Sequence, residues 1–262
     1  MTPSPAERVV VGAAIAPLHA EARVSSPQTS QRLRGAVLDV LARQGDEWLR
    51  VRGDDGYEGW VHRGYLEDDR APRGPHAWRR ISLGCTVRTS SGGVLPLPLG
   101  ALLLFDDALL EGEAVERDAR GRDFPASAAE IAATATGRFA GTPYQWGGVT
   151  PWGADCSGLV QSVFALHGVP MPRDAWQQAE ASPSGSAATL ERIDVLRPAD
   201  LLFFSDRADR RITHVGISLG EMRMVHLALG RGGFAIERLA DGADPYVAKL
   251  LERFLFARRV LG

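Results

Sequence analysis

One cysteine and two histidines have the types and the order that nucleophilic thiol catalysis requires. Cys156 opens an apolar pattern of helical spacing that Gly168 ends, so the sequence predicts a helix with Cys156 in its first turn and Asp155 as N-cap. Backbone N–H groups and the helix dipole at such a position favour a thiolate. Downstream, His214 lies in an apolar run typical of a buried strand, and His226 lies in the next run. A thiol, a histidine base and a third polar group that orients the base are the parts of such a catalyst.

Each of these residues also has a simpler explanation. An isolated cysteine is most often a small buried hydrophobe, and a histidine in an apolar strand is most often a core residue. Four glycines around the cysteine indicate a backbone packed closely against another group, namely Gly147, Gly148, Gly153 and Gly158. Metal binding is the other alternative, but two cysteines without a CxxC or HExxH motif form no convincing ligand set. We therefore expect neither a metal nor another cofactor.

The segment from Gly141 to about Gly233 resembles the NlpC/P60 family of papain-like cysteine peptidases. The shared motifs are, in order, Pro143–Gly148, Asp155–Val160, Pro172–Asp174, Pro198–Phe204, His214–Ile217 and His226. Each motif is short, but the complete ordered set is highly specific. The resemblance implies that Cys156 is the nucleophile, His214 the general base and His226 the group that orients the imidazole. It also implies a helix that bears the cysteine, followed by an antiparallel sheet that bears both histidines.

The remaining composition excludes several classes of protein. The chain has 262 residues, 45% of them hydrophobic, and a net charge of −2, which gives no reason to expect a nucleic acid or an anionic membrane as partner. No apolar run approaches the roughly 20 residues that span a bilayer. The apolar stretch 9–16 is short and follows Glu7 and Arg8 rather than a basic region, so a secretory signal is not expected. Two cysteines are too few for a disulfide framework, and the cytoplasm is the expected location.

The N-terminal part of the chain predicts small β-domains. Residues 1–70 contain short strands separated by turns rich in Asp and Gly, and they resemble a bacterial SH3 (SH3b) domain through Asp46–Val51 and Gly56–Val61. Residues 71–77 are typical of a linker, and 78–125 predict a second, divergent SH3b domain. Residues 126–262 form the expected catalytic domain. The predicted fold class is α+β, with two small SH3-like β-barrels ahead of a papain-like NlpC/P60 domain.

Several local features carry no predicted chemistry. Ser127 is a candidate N-cap for a helix over 126–135, and Ser182–Ser186 has the composition of a surface loop. Asp107 is expected in a solvated loop rather than in a metal site. Asp200 is expected to stabilise a turn ahead of an apolar strand.

The order of domains is similar to that of the dipeptidyl-peptidase VI type of γ-D-glutamyl-L-diamino acid endopeptidases. That resemblance implies hydrolysis of the bond between γ-D-Glu and the diamino acid in muropeptides with a free N-terminal L-Ala, a reaction of cell-wall recycling. It also implies that the first SH3b domain contributes to the site. The implied substrate-binding residues are Tyr57, Tyr144, Trp146, Asp155, Ser157 and Asp174. Asp174 and Tyr57 would bind the substrate ammonium, because burying that charge is costly without a carboxylate or an acceptor.

Two positions depart from this group, and two other functions stay open. Ala36 follows Gly35 where a carboxylate is common, and Ala175 stands where serine is common, so strict recognition of a free L-Ala is in question. One alternative is an NlpC/P60 endopeptidase or amidase that acts on intact peptidoglycan. The other is a non-catalytic SH3b protein that only binds wall peptides.

Overall fold

The computed structural model describes residues 7–68, 78–181 and 188–261. The predicted linker at 71–77 and the predicted loop at 182–186 lie outside the described residues. The chain divides into two compact units, Met1–Ala119 and Arg120–Gly262. Within the described ranges, no helix combines the length and the apolar character that crossing a membrane would require.

The first unit contains a seven-stranded antiparallel sheet. Its strands are β1 (Arg8–Val11), β2 (Ile15–His19), β3 (Gln28–Leu33), β4 (Val37–Gln44), β5 (Trp48–Arg52), β6 (Glu58–His62) and β7 (Leu66–Asp68). They are ordered β3-β2-β6-β5-β4-β1-β7. Apolar side chains that alternate with exposed ones along the strands, such as Leu18, Leu49 and Val51, form its buried core.

A second sheet in the same unit is built on one long strand. Strand β8 (Trp78–Arg88) pairs antiparallel with β9 (Val94–Leu97), β10 (Leu102–Leu104) and β11 (Ala108–Glu116). No closed barrel is found among the described strands of either sheet, so the prediction of two barrels is not confirmed. Asp107 is also not solvated, because it is 3% exposed and forms a 2.5 Å ion pair with Arg34.

The second unit combines a six-stranded antiparallel sheet with short helices. The helices are α1 (Arg120–Asp123), α2 (Ala128–Arg138), α3 (Cys156–Leu166), α4 (Ala175–Glu180) and α5 (Pro245–Glu252). A small hairpin consists of β12 (Val149–Thr150) and β13 (Gly153–Ala154). The large sheet contains β14 (Ala188–Leu190), β15 (Leu201–Phe204), β16 (His214–Gly220), β17 (Arg223–Ala228), β18 (Gly233–Arg238) and β19 (Phe254–Arg259), ordered β14-β19-β15-β16-β17-β18. The predicted order of a cysteine helix before a sheet with both histidines is confirmed.

Local sequence signals explain where these helices begin and end. The Ser127 side chain accepts a hydrogen bond from the Glu130 N–H, which confirms it as the N-cap of α2. Helix α3 ends just before Gly168, whose φ of +78° lies in the left-handed region that glycine adopts without strain. One face of α3 is fully buried and consists of Leu159, Val160, Val163 and Phe164. Burial of this face fixes the cysteine end of α3 in the unit.

Two glycines allow the chain before α3 to pass very close to the first turn of the helix. A Cβ atom on Gly158 would lie 2.0 Å from the Gly148 carbonyl oxygen, and a Cβ on Gly148 would lie 2.3 Å from the Gly153 carbonyl oxygen. Because the obstructing atoms belong to the backbone, a side chain could not be accommodated by a rotamer change. The sequence prediction of a closely packed backbone around the cysteine is therefore confirmed.

This close approach predicts that replacing Gly158 by alanine lowers the stability of the protein, whereas the same change at an open helical position raises it. Alanine normally stabilises a helix by up to about 1 kcal/mol relative to glycine, and we expect that gain for Gly137→Ala in α2, where the added Cβ meets no atom within 4 Å. For Gly158→Ala we expect instead a loss of roughly 1–3 kcal/mol, because the backbone must move. Thermal and urea denaturation of the two variants would measure the difference. Equal stabilities would show that the approach at Gly158 is not tight.

Candidate active site

Cys156 is the first residue of α3, and its thiol is buried. The Asp155 side chain accepts a 2.8 Å hydrogen bond from the Gly158 N–H, which confirms Asp155 as the N-cap. Burial, followed by the negative charge of Asp155, raises the pKa of the Cys156 thiol to about 12. The backbone N–H groups of Val215 and Ser157 act in the opposite direction but are outweighed. The site without substrate therefore favours the thiol, and the thiolate expected from the helix end alone is not favoured.

His214 and His226 meet beside this thiol. His214 is the first residue of β16 and directly precedes Val215, whose amide faces the sulfur. Its Nε2 lies 2.8 Å from Nδ1 of His226 on β17, with ring centroids 5.0 Å apart. Burial, His226 and Arg253 together lower the pKa of His214 to about 3. The structure thus brings together the predicted nucleophile, base and orienting group, and the arrangement favours the neutral forms of Cys156 and His214.

A carboxylate continues this row of side chains, and the sequence interpretation missed it. His226 Nε2 lies 3.3 Å from Glu237 Oε1, and Glu237 is 4% exposed. Both Glu237 oxygens accept hydrogen bonds from the Arg231 guanidinium, which also pairs with Asp244. The sequence offered no signal for this, because the alternation of Phe234 and Ile236 predicts Glu237 on the solvent side of β18, whereas the structure buries Glu237 and leaves Ile236 exposed.

The carboxylate of Asp155 also binds a buried arginine that the sequence interpretation did not single out. Arg173, 1% exposed, donates to both Asp155 oxygens at 3.0 and 2.7 Å and to the Ser157 hydroxyl at 2.8 Å. Ser157 in turn donates to Asp155, which also accepts the Gly147 N–H. This network joins the cysteine turn, the loop before it and the Pro172–Asp174 motif. It gives Asp155 a structural role in addition to its predicted contact with substrate.

Tyr144 and Trp146 lie on the segment that leads to the cysteine helix. Tyr144 is partly buried, and its backbone N–H donates to the Gly232 carbonyl ahead of β18. Burial, with Cys156 and Asp155 nearby, raises the pKa of the Tyr144 hydroxyl, so it is a neutral hydrogen-bond donor. Trp146 is 67% exposed. An aromatic ring with that exposure is available to contact a ligand.

Two other predicted residues lie further along the chain or in the other unit. Asp174 is the N-cap of α4, its N–H donates to the Gln177 side chain, and burial raises the pKa of its carboxyl. Tyr57 lies in the first unit, where its ring packs partly buried against the sheet core. The binding role of Tyr57 stays a prediction.

The described side chains include no set suited to a metal ion. No group of three or more His, Cys, Asp or Glu residues within the described ranges could hold one. What the site offers is a thiol, an imidazole with an acceptor nitrogen, and peptide N–H groups at a helix end. These parts can carry out nucleophilic acyl transfer.

Comparison with known proteins agrees with this chemistry. Residues 141–248 match the NlpC/P60 family, and residues 15–67 match the bacterial SH3 domain. The γ-D-glutamyl-L-lysine dipeptidyl-peptidase of Bacillus subtilis is 31% identical over 217 residues, covering 75% of this chain and 71% of the relative. The enzyme of the same name from Bacillus cereus is 34% identical over 262 residues, covering 88% and 75%. These matches extend over both units.

Solved structures match in fold. An NlpC/P60 family protein from Bacillus cereus has a TM-score of 0.77 at 18% identity, covering 98% of this chain and 100% of that one. An NlpC/P60 endopeptidase from Photobacterium damselae has a TM-score of 0.69 at 14% identity, covering 97% of this chain and 72% of the other. The family match, the relatives that cover most of the chain and the fold therefore point to the same family. The chain belongs to the NlpC/P60 family and is a cysteine peptidase with a bacterial SH3 domain.

Proposed function

We propose that this enzyme hydrolyses the bond between γ-D-Glu and the diamino acid in free muropeptides with an N-terminal L-Ala. The observation that carries the proposal is the arrangement of Cys156, His214 and His226. The buried Cys156 thiol faces the Val215 amide, His214 directly precedes Val215, and His214 Nε2 lies 2.8 Å from His226 Nδ1. Relatives named for γ-D-glutamyl-L-lysine cleavage, similar over three quarters or more of the chain, support this choice of bond.

In the proposed mechanism the Cys156 sulfur attacks the carbonyl carbon of the γ-D-Glu amide. His214 takes the thiol proton as the C–S bond forms, and it returns that proton to the amine of the diamino acid when the C–N bond breaks. The product is a thioester, which water attacks while His214 accepts the water proton. The C–S bond then breaks, the carboxylic acid product is released, and His214 returns the proton to the Cys156 sulfur. Because burial disfavours a separate thiolate and imidazolium, proton transfer accompanies the attack instead of preceding it.

The carbonyl oxygen gains negative charge in each tetrahedral intermediate and needs hydrogen-bond donors. The Cys156 backbone N–H lies at the N-terminus of α3, where helical N–H groups have no intrahelical acceptor. The Tyr144 hydroxyl, kept protonated beside Cys156, is the second donor we assign. Removal of one such donor typically slows an acyl transfer by about 10²–10³-fold.

Substrate binding is assigned to the residues that surround the thiol. We place the α-carboxylate of γ-D-Glu at the backbone N–H of Ser157 in the first turn of α3, because the Ser157 hydroxyl is already held by Asp155 and the Arg173 guanidinium. Asp155 holds that guanidinium, and Trp146 forms a wall against the peptide. We assign the ammonium of L-Ala to Asp174, where a bound cation would compensate the cost of a partly buried carboxylate.

A role in recycling also carries a proposed location. We propose that the enzyme acts on recycled muropeptides in the cytoplasm, because a reducing compartment keeps the Cys156 thiol reduced. Cys85 and Cys156 are both unpaired in the structure. Cell fractionation with detection of the full-length chain would test the location, and recovery in the extracellular fraction would contradict it.

Substitution of the nucleophile tests the mechanism. We expect Cys156→Ala to remove turnover while the protein stays folded, because alanine fills most of the buried volume but forms no thioester. Cys85→Ala in the first unit is the matched control and should keep its activity per folded molecule. Turnover would be followed by mass spectrometry of the peptide products and folding by thermal denaturation. Activity of Cys156→Ala would contradict the mechanism.

A pair of peptides tests the substrate. Free L-Ala-γ-D-Glu-diaminopimelate should be cleaved, whereas its N-acetylated form should not, because acetylation removes the charge that Asp174 binds. Asp174→Asn should raise KM for the free peptide by about tenfold, the scale of one charge-assisted hydrogen bond, while asparagine preserves the N-cap of α4. Mass spectrometry would identify the products. Cleavage of both peptides would contradict the ammonium site, and cleavage of neither would contradict the assigned bond.

The pH profile tests the protonation state of the base. Because the pKa of His214 is lowered to about 3, we expect kcat/KM to stay constant from neutrality down to about pH 5.5, below the ordinary histidine value of about 6.5. Activity should fall only when acid protonates His214. Initial rates on the free peptide, with thermal denaturation at each pH to verify folding, would provide the profile. An acidic limb near pH 6.5 would show that burial does not lower this pKa.

A further inference from the structure

Glu237 lies on the face of the sheet that carries His226. Strands β17 and β18 pair antiparallel, with Met224 opposite Glu237 and His226 opposite Ala235. Because side chains alternate along a strand, Met224, His226 and Glu237 share one face. The two nitrogens of the His226 ring have different neighbours: Nδ1 lies 2.8 Å from His214, and Nε2 lies 3.3 Å from Glu237. The ring therefore connects the carboxylate to the proposed base.

Neighbouring charges fix the ionisation of Glu237. Arg231 donates from Nε to Oε1 at 2.8 Å and from Nη2 to Oε2 at 2.9 Å, and its guanidinium is 4.2 Å from the Tyr246 ring centroid. Asp244 binds the same arginine at 2.7 Å. Burial acts to raise the pKa of Glu237, but the hydrogen bonds with His226 and Arg231 outweigh it and bring the pKa to about 2. The carboxylate is therefore ionised at neutral pH and can only accept hydrogen bonds.

An acceptor at this place determines where the ring hydrogens lie. Since Glu237 has no hydrogen to donate, His226 Nε2 must carry one and donate it. In a neutral His226 the other nitrogen, Nδ1, is then an acceptor, so His214 Nε2 must be the donor across the 2.8 Å contact. A neutral His214 with hydrogen on Nε2 has a lone pair on Nδ1. That is the tautomer able to accept a proton from Cys156.

We infer that Glu237 is a positioning residue, which acts through His226 to hold His214 in the tautomer that accepts the thiol proton. This inference rests on the proposed roles of Cys156, His214 and His226. Glu237 has a second effect once the proton has moved, because its negative charge stabilises the imidazolium one ring away. Arg253 opposes this stabilisation, since its charge acts to lower the pKa of His214. Arg231 partly screens the carboxylate, and Asp244 in turn offsets Arg231.

The substitution Glu237→Gln keeps the shape of the side chain and removes its charge. We expect kcat on the free peptide to fall at least about tenfold, the lower range for a hydrogen bond to a charged group, with little change in KM. The acidic limb of kcat/KM should move to lower pH, because His214 loses a carboxylate that favours its protonated form. The matched control is Glu221→Gln, the same change at an 86% exposed side chain between β16 and β17, which should keep kcat and the pH profile.

A double-mutant cycle separates positioning from a general loss of structure. If Glu237 acts through His226, then Glu237→Gln should cost little further kcat in a His226→Asn background, because the ring that transmits its effect is absent. Additive losses in the double variant would overturn the inference, and so would a Glu237→Gln enzyme with unchanged kcat and pH profile. Failure of the underlying mechanism would be recognised separately, as turnover by Cys156→Ala. Thermal denaturation of each variant measures any structural loss.

Discussion

The buried carboxylate of Asp155 is the interaction on which the site depends most. It caps the first turn of α3, binds the Gly147 N–H in the preceding loop, and pairs with Arg173 from the segment after the helix. Three parts of the chain thus converge on one side chain next to Cys156. Removing one partner of such a buried pair typically costs about 3–5 kcal/mol, because the other charge stays buried without compensation. The position of the nucleophile is therefore coupled to the folding of the whole cysteine turn.

The same burial sets the chemistry of the reacting groups. A thiol and an imidazole in a protein interior are both more stable neutral, which opposes the ion pair that a helix N-terminus would favour on its own. The site places fixed charges around this neutral pair, with Asp155 and Arg173 on the thiol side and Glu237 and Arg231 behind His226. Charges already fixed by the fold need no reorganisation when charge develops during the reaction. The site therefore combines buried, neutral reacting groups with fixed charges around them that can stabilise the charge that develops during the reaction.

How much of this could be predicted from the sequence depends on the range of the interactions. The N-cap, the helix of Cys156, its end at Gly168 and the order of the strands with His214 and His226 follow from local spacing, and these predictions are confirmed in the structure. The predictions of two barrels and of a thiolate are not confirmed, because they depended on long-range contacts. These contacts are the pairing of distant strand edges and the burial of the sulfur. Arg173 and Glu237 were missed for the same reason, since their importance comes from register and packing.

Glu237 also illustrates how the cost of a buried charge points to function. An ion pair in the interior contributes little net stability, because desolvation offsets the attraction between the charges, and an apolar pair of similar volume is often as stable. Glu237 and Arg231 are arranged with bidentate geometry directly behind His226, where an apolar residue would leave the Nε2–H without an acceptor. A histidine that orients the base needs such an acceptor, because the acceptor determines which of its two ring nitrogens carries the hydrogen. The Cys–His–His arrangement therefore requires a further group that an amide in place of the second histidine would not need.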